Sequence, residues 1–433
     1  MTWAIHYLSG ISSPANAGYS EEELVYQLKS SKAKAIFTCL PLLQTSIAAA
    51  AKCGIPKKNI YLLPVPQELT GGKPDPPDFE TVEQLIANGH KLPRAEALRW
   101  SKGQGAKQTA FLCYSSGTSG LPVSLSHQQS GQDAFKTDRR LLAQKGVMIS
   151  HRNVIANVLQ ICAFEKPFRN LNKRSSDGYP KPEVALGLLP QSHIYSLVVI
   201  CHAASYRGDQ IINLPKFEMG HLLSAIQRFK INTLFLVPPI IIGMANNPQV
   251  LAKFDISSVT QIFTGAAPLG AETAETLMKQ HPKWMIRQGY GLTETSTVMT
   301  STAYDDIWLG SCGSILPLVK ARIVSTDGKE ITDYDTPGEL VVKSPSIVLG
   351  YLNNEKANKE TFVNGWMHTG DEAVVRKAPS GNEHVFIVDR IKELIKVKVS
   401  ALPPIPDTQS PDNYRHIKSH PQSSKRTFSP IHL

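Results

Sequence analysis

Short apolar runs alternate with segments whose apolar residues recur every three or four positions along most of this chain. Such runs predict buried strands, and the longer spacing predicts amphipathic helices. Strands are predicted at residues 35–38, 59–63, 109–113, 184–189, 233–237, 261–264 and 284–287. Helices are predicted at residues 44–53, 81–88, 153–164, 221–229 and 272–280, and a capping box of Ser20 and Glu23 predicts the start of another. Because strands and helices alternate, we expect an α/β fold with parallel sheets and crossover helices.

The pattern changes near residue 311. Short strands are predicted at residues 320–325, 338–343 and 385–388, without long helices between them. We therefore expect an α/β core over residues 1–310 and a small β-rich subdomain over residues 311–398, ending at a hinge. Residues 399–433 contain six prolines, few large apolar residues and no periodicity, so we expect this tail to be disordered.

Composition narrows the class of protein. A chain of 433 residues with 42% hydrophobic and 19% charged residues is typical of a globular protein. The net charge of +10 fits an anionic ligand, but no basic run interleaves with aromatic residues, so nucleic acid is not an expected partner. No signal peptide and no integral membrane segment are predicted. Six scattered cysteines without CxxC spacing indicate free thiols in a reducing compartment.

A loop rich in glycine and hydroxyl groups follows the strand predicted at residues 109–113. Glycines allow a close approach of the backbone, and successive N–H and hydroxyl groups can surround a phosphate. The loop lacks the Gly-Lys-Ser/Thr spacing of a Walker A motif, and by itself it is equally compatible with a surface turn. The candidate phosphate ligands are Ser115, Ser116, Gly117, Thr118, Ser119 and Gly120.

The cation that a phosphate loop usually needs does not follow this loop directly. If Pro122 is joined to Lys145, the sequence reads Ser-Ser-Gly-Thr-Ser-Gly-Leu-Pro-Lys-Gly. This string resembles the phosphate loop of the adenylate-forming (AMP-binding) superfamily, which includes acyl-CoA ligases, luciferases and peptide-synthetase adenylation domains. Residues 123–144 are foreign to that pattern and form an anomalous insert.

Five further stretches resemble the same superfamily in the same order, and the similarity is greatest to 4-coumarate–CoA ligase-like enzymes and other acyl-CoA synthetases. The stretches are residues 189–195, 265–269, 288–295, 365–371 and 389–396. Each alone is compatible with a structural turn or a satisfied polar residue, and the series favours function. The resemblance implies that His193, Tyr195 and Gly265 face the acid.

The remaining roles also come from the resemblance. Lys145, His193, Thr293 and Glu294 would serve catalysis, and Thr118 and Glu294 would hold Mg²⁺, a cation that prefers oxygen ligands. The Tyr290 ring is suited to stacking on adenine, and Asp371 to accepting both ribose hydroxyls. The nucleotide and coenzyme ligands would further include Ala266, Gln288, Gly289, Gly291, Arg390 and, for coenzyme A, Lys216.

The implied reaction joins a carboxylic acid to coenzyme A, with ATP and Mg²⁺, through an acyl-adenylate. Two alternatives stay open: an adenylation domain or luciferase-like enzyme with another acceptor, and a non-catalytic nucleotide-binding remnant. The resemblance is compatible with a cytoplasmic or a peroxisomal protein and leaves the oligomeric state open.

The sequence departs from the superfamily pattern in three places. The pattern begins inside the family's N-terminal subdomain, residues 123–144 separate Lys145 from Gly120, and the resemblance ends after Lys398. The family continues there with a C-terminal α/β domain carrying a catalytic lysine, for which we expect no counterpart here. Val-Ser opens both the insert and the tail, as an in-frame reading of an intron start would, so retained introns are a hypothesis for both. We expect catalysis to be impaired.

Overall fold

The structure, a computed structural model, describes residues 1–96, 98–115, 144–172 and 182–391. Five of the predicted phosphate ligands, Ser116, Gly117, Thr118, Ser119 and Gly120, lie outside the described residues. The same is true of nearly all of the insert and of the tail over residues 399–433.

The described helices and strands follow the alternation of the sequence. Helices α1 to α13 span Thr2–Tyr7, Glu21–Ser31, Leu43–Lys52, Gln67–Thr70, Val82–Gly89, Gln104–Lys107, His151–Asn172, Ser205–Arg207, Met219–Phe229, Pro238–Ala245, Pro248–Leu251, Ala271–Gln280 and Glu355–Thr361, and a π-helix spans Ser196–Ala204. Strands β1 to β9 span Ile36–Thr38, Ile60–Leu62, Thr109–Ser115, Lys145–Ser150, Val184–Gly187, Gln210–Asn213, Thr233–Leu236, Gln261–Thr264 and Met285–Leu292. Strands β10 to β18 span Thr297–Ser301, Ser314–Ile315, Lys320–Val324, Glu330–Ile331, Gly338–Lys343, Gly350–Tyr351, Phe362–Val363, Trp366–Lys377 and Glu383–Arg390.

A large sheet dominates the described part of the chain, with strand order β11-β10-β9-β8-β7-β5-β6. Strands β6, β5, β7, β8 and β9 run parallel, whereas β10 and β11 are antiparallel. Alternate residues face opposite cores: Ile262 packs with the core formed by α9, α10 and α12, and Phe263 packs with α7 and the π-helix. Burial on both faces explains why these strands are continuously apolar in sequence. The predicted α/β class with parallel sheets is confirmed.

The β-rich subdomain follows the large sheet, as the change of pattern near residue 311 predicts. Its sheet has the order β13-β12-β14-β17-β16, and β18 also pairs with β17. Two backbone hydrogen bonds join it to the loop before β11, from Cys312 N to Val385 O at 2.8 Å and from Val385 N to Gly313 O at 2.9 Å. The long strand β17, which carries Asp371, was not among the predicted elements.

The length of strand β9 differs from the sequence prediction. The strand was predicted to end at Arg287 and to open into a loop, but it continues to Leu292. Strand β10 returns beside it and supplies the hydrogen-bonded ladder, with Gly291 opposite Val298. A Cβ atom on Gly291 would lie 1.4 Å from the Thr297 carbonyl oxygen. This glycine therefore permits close packing of two strands and is not needed for loop flexibility.

The length of helix α7 also differs from the sequence prediction. It was predicted to end at Phe164, before Pro167, but it continues to Asn172. Two charged side chains anchor the extra turns: Glu165 pairs with the buried Arg287 at 3.2 Å, and Arg169 pairs with Glu183 at 2.9 Å. These ion pairs hold the helix in place beyond the proline, which local sequence rules do not anticipate.

A smaller sheet contains the strands on either side of the predicted phosphate loop. Strands β3 and β4 are antiparallel, and β15 extends the sheet on the β4 side. All six cysteines are free, and Cys113 on β3 is fully buried. Among the described helices, none is long and apolar enough to cross a bilayer.

Candidate active site

The loop after β8 lies beside strand β9. A Cβ atom on Gly265 would lie 3.1 Å from the Gly289 carbonyl oxygen, so a larger residue would push the two segments apart. Ala266 has a φ of 68°, a left-handed conformation that is costly for alanine. Strain of this kind at the carboxyl end of a parallel strand is typical of a ligand-binding loop.

Gln288 joins this loop to β9. Its side-chain oxygen accepts a hydrogen bond from Leu269 N at 3.3 Å, and its side-chain nitrogen donates to Leu269 O at 3.4 Å. The residue is buried, with 6% of its surface exposed. Gln288 therefore fixes the loop containing Gly265 and Ala266 against the strand that carries Gly289, Tyr290 and Gly291.

Asp371 brings the large sheet and the β-rich subdomain together. The Tyr290 hydroxyl on β9 donates to Asp371 Oδ2 at 2.7 Å, and Arg390 Nε on β18 lies 3.5 Å from Asp371 Oδ1. Asp371 and Arg390 are register partners across β17 and β18. Three residues from motifs far apart in sequence thus meet at one carboxylate.

The surroundings of Asp371 fix its orientation. The carboxylate is 3% exposed, and Asp371 N donates to Thr369 Oγ1 at 3.1 Å. Burial, together with the negative charge of Asp371, raises the pKa of Tyr290 well above its ordinary value. The tyrosine therefore stays protonated and remains a hydrogen-bond donor.

Lys145 lies at the rim of the phosphate loop. It is the register partner of Ser115, the last described residue before the loop, across β3 and β4. The insert was expected to separate Lys145 from Gly120. Because Gly120 lies outside the described residues, that expectation stays a prediction.

Glu294 and Lys145 share a contact residue. Glu294 lies in a 3₁₀ turn spanning Thr293–Thr295, and its Oε1 accepts a hydrogen bond from the Tyr351 hydroxyl at 2.9 Å. Lys145 Nζ lies 4.5 Å from the centre of the Tyr351 ring. Burial raises the pKa of Glu294, and the Tyr351 hydrogen bond and the charge of Lys145 act in the opposite direction. Thr293 begins the same turn and is partly exposed.

The donor set around Glu294 fits Mg²⁺ that arrives with a nucleotide. Among the described residues, no group of three or more His, Cys, Asp or Glu side chains is placed to hold a metal. Mg²⁺ is commonly bound by one or two carboxylates together with substrate phosphates and water. A single carboxylate that shares Tyr351 with Lys145 meets that requirement, and Thr118, the second predicted ligand, lies outside the described residues.

His193 and Tyr195 precede the π-helix. Tyr195 is buried, and its hydroxyl donates to Phe263 O on β8 at 2.7 Å. His193 is exposed, and desolvation by the neighbouring protein lowers its pKa. It is therefore a neutral imidazole at neutral pH. The Thr297 hydroxyl donates to Ile194 O at 2.9 Å, which joins this segment to β10.

Lys216 stands apart from the other candidates. It lies in an exposed turn between β6 and α9. Strand β6 forms the edge of the large sheet, three strands away from β8 and four away from β9 by the order β9-β8-β7-β5-β6. Among the described contacts, none joins Lys216 to the cluster around Asp371 and Glu294.

Tyr351 is a candidate site residue that lies outside the sequence motifs. It lies on β15, which pairs with β4 so that Tyr351 is opposite Val147. Nothing in its own stretch of sequence indicates contact with Lys145 or Glu294, because that contact depends on strand pairing over some 200 residues. The separation is 351 − 145 = 206 positions.

A parallel α/β core and a β-rich subdomain that meet at Asp371, with a strained loop and a phosphate-loop rim beside them, define the N-terminal domain of an adenylate-forming protein. The chain belongs to the AMP-binding enzyme family, whose model matches residues 1–140 and 143–352.

Named relatives agree with this assignment. The chain is 40% identical over 400 residues to acyl-CoA ligase easD of Emericella nidulans, covering 92% of this chain and 65% of the relative. It is 39% identical over 411 residues to acyl-CoA ligase AFT1-1 of Alternaria alternata, covering 93% and 64%. It is 32% identical to 4-coumarate–CoA ligase 3 of Arabidopsis thaliana, covering 92% and 63%. The chain thus spans less than two thirds of the length of these relatives.

Solved structures support the same fold. The N-terminal domain of FACL13 from Mycobacterium tuberculosis superimposes with a TM-score of 0.64 at 21% identity, covering 90% of this chain and 82% of that one. ATP-bound MatB from Rhodopseudomonas palustris gives a TM-score of 0.68 at 23% identity, covering 93% and 70%. The predicted resemblance and fold class are confirmed, and the domain boundaries and site residues stay predictions.

Proposed function

We propose that this protein is an ATP-dependent carboxylic acid–CoA ligase of the AMP-forming type. The observation that carries the proposal is the meeting of Tyr290 from β9, Arg390 from β18 and Asp371 from β17 at one buried carboxylate. Relatives named as acyl-CoA ligases, at about 40% identity, support the choice of acceptor.

In the first step, an oxygen of the acid attacks the α-phosphorus of ATP. The bond from that phosphorus to the bridging oxygen breaks, and pyrophosphate leaves with the electron pair. Asp371 would accept hydrogen bonds from the ribose hydroxyls, since the two oxygens of a carboxylate can accept several hydrogen bonds. Gln288 holds the loop of Gly265 and Ala266 in place, so that the adenine and the acid lie against a fixed backbone.

A second group of candidate residues would interact with the charged phosphates. Lys145 and the phosphate loop, including Ser115, stabilise the negative charge that develops on the departing pyrophosphate. Glu294 would hold Mg²⁺, which when bound would offset the negative charge of the phosphates. The neutral imidazole of His193, which the resemblance assigns to the acid, would donate a hydrogen bond without adding a positive charge.

In the second step, the thiolate of coenzyme A attacks the acyl carbon. The bond from that carbon to the AMP oxygen breaks, and AMP leaves. Lys216 was predicted to bind the nucleotide phosphates of coenzyme A. Its exposed position after the edge strand β6, four strands from β9, is compatible with a contact to the distal end of a long substrate.

We further propose that the 433-residue chain catalyses this reaction poorly. Residues 123–144 lengthen the loop between Ser115 and Lys145, and ordering a longer loop around phosphate costs more conformational entropy. A form lacking residues 123–144 should therefore bind ATP more tightly than the full chain.

Acid-dependent exchange of labelled pyrophosphate into ATP tests the proposal. Fatty and aromatic acids would be assayed with the full chain, with the form lacking residues 123–144, and with Asp371→Asn in both forms. We expect exchange with at least one acid, faster in the shortened form and at least about tenfold slower after Asp371→Asn, the size of one lost hydrogen bond to a charged group.

The assay separates the alternatives. ATP binding without exchange in both forms would favour a non-catalytic nucleotide-binding remnant. If pyrophosphate exchange occurs but no acyl-CoA forms when coenzyme A is added, a different acceptor would be favoured. Exchange that Asp371→Asn leaves unchanged would contradict the site described above.

A further inference from the structure

Tyr351 contacts two residues to which the proposed reaction assigns charge. Its hydroxyl donates to Glu294 Oε1 at 2.9 Å, and its ring lies under Lys145 Nζ at 4.5 Å. Glu294 belongs to the turn after β9, and Lys145 begins β4. A single side chain on a third strand, β15, therefore links two catalytic candidates from separate motifs.

The backbone around Tyr351 is held firmly. Asn358 Oδ1 accepts a hydrogen bond from Tyr351 N at 2.7 Å, and Asn358 Nδ2 donates to Tyr351 O at 3.0 Å. Asn358 lies on α13, whose first turn is capped by the Asn354 side chain. The tyrosine is 5% exposed, so its ring has little freedom to move.

The two contacts have different physical consequences. A hydrogen bond on Oε1 restricts rotation of the Glu294 carboxylate and so defines its orientation toward a metal ion. The face of the Tyr351 ring attracts the Lys145 ammonium group and so defines where that charge is held. Burial, followed by the charge of Glu294, raises the pKa of Tyr351, so the hydroxyl stays protonated and continues to donate.

We infer that Tyr351 is a positioning residue for nucleotide binding: it orients Glu294 toward Mg²⁺ and Lys145 toward the phosphates. The inference rests on the proposed function, because it requires ATP and Mg²⁺ to bind at this site. It adds a residue outside the motifs that the sequence indicated.

Titration of Mg²⁺ during ATP binding, followed by calorimetry, tests the hydrogen bond to Glu294. Tyr351→Phe removes the hydroxyl and keeps the ring. We expect the Mg²⁺ concentration for half-maximal enhancement of ATP binding to rise about tenfold, the effect of losing one hydrogen bond to a charged group. ATP binding without Mg²⁺ should not change.

Tyr334→Phe is the matched control. The Tyr334 hydroxyl donates to Glu383 Oε1 at 2.7 Å, which is the same kind of bond in the β-rich subdomain. We expect this variant to keep the Mg²⁺ dependence of the original protein. In a Glu294→Gln background, Tyr351→Phe should add nothing further, since the two groups act as a pair.

Tyr351→Leu tests the contact with Lys145, because it removes the ring as well. We expect weaker binding of ATP and unchanged binding of AMP, which lacks the β- and γ-phosphates. Thermal unfolding would show whether this variant is folded, and Tyr351→Phe provides the test if it is not.

The outcomes distinguish the two proposals. If the original protein shows Mg²⁺-dependent ATP binding and Tyr351→Phe matches Tyr334→Phe, the inference about Tyr351 is wrong and the proposed function stands. If the original protein binds no ATP at any Mg²⁺ concentration, with and without residues 123–144, the proposed function itself is contradicted.

Discussion

Two carboxylates, those of Asp371 and Glu294, have central roles in the proposed site. Asp371 accepts a hydrogen bond from Tyr290 and lies beside Arg390, and Glu294 accepts one from Tyr351. Both acids are surrounded by protein, where a charge without partners would be costly. The neighbouring donors and cations make it possible to keep acidic groups where a nucleotide needs them.

A cluster of histidines allows a prediction about pH. His6 and His151 have ring centres 4.8 Å apart, and Trp3 Nε1 donates to His202 Nε2 at 3.2 Å. Burial lowers the pKa of all three histidines below the ordinary value of 6.5. The unfolded chain therefore binds more protons than the folded protein once the pH falls below 6.5. Stability should decrease as the pH is lowered from 7.5 to 5.5.

Urea unfolding at several pH values measures this effect. Changing His6 and His151 together to Gln should flatten the dependence between pH 7.5 and 5.5, whereas His221→Gln, at an exposed position, should not. Glu165, whose pKa is lowered, titrates below this window and does not interfere. An equal slope in all three proteins would show that the buried histidines do not contribute.

Among single residues, the sequence identifies candidates that belong to a recognisable motif. The resemblance names Lys145, Glu294 and Asp371, and their roles stay predictions. Tyr351 could not be predicted, because its importance comes from a long-range strand pairing and not from its neighbours in sequence. The 3.5 Å contact between Arg390 and Asp371 likewise depends on register between β17 and β18.

Among the structural elements, the β9–β10 hairpin shows why the glycines of the Gln288–Thr295 motif are required. A side chain at position 291 would overlap the backbone of β10, since the nearest atom would be 1.4 Å from its Cβ. Backbone atoms on both sides leave little room for relaxation. The glycine thus serves the packing that places Tyr290 against Asp371.

Gly291→Ala should therefore destabilise the protein by about 3 kcal/mol or more, at the upper end for overpacked sites. Thermal or urea unfolding would measure the loss. Gly270→Ala is the control, because a Cβ there meets nothing within 4 Å and the glycine has a negative φ of −61°. Equal stability of the two variants would mean that β10 does not approach β9 as closely as described.

The sequence predicts elements well where burial is continuous or where capping is explicit. Strand β8 has the predicted bounds, and the capping box at Ser20 and Glu23 is present. Predictions fail where tertiary contacts override local rules. Helix α7 passes Pro167 because ion pairs hold its end, and β9 continues through glycines because β10 pairs with it.

At the scale of the whole molecule, the site depends on contact between the large sheet and the β-rich subdomain. One core joins α7 and the π-helix to the large sheet and to the β-rich subdomain, and another lies on the opposite face of the large sheet. Because the first core includes Phe263, Val298 and Val385, the two parts of the chain share apolar packing behind the cluster at Asp371. Binding of a nucleotide at that cluster should therefore stabilise both the large sheet and the β-rich subdomain.

Hydrogen exchange with and without ATP and Mg²⁺ tests this central claim most directly. We predict saturable protection in both Met285–Leu292 and Trp366–Lys377, with little change in Ile36–Thr38 and Ile60–Leu62. Asp371→Asn should require a higher ATP concentration for the same protection. Protection of neither β9 nor β17, or of one without the other, would contradict a single adenylate site shared by the large sheet and the β-rich subdomain.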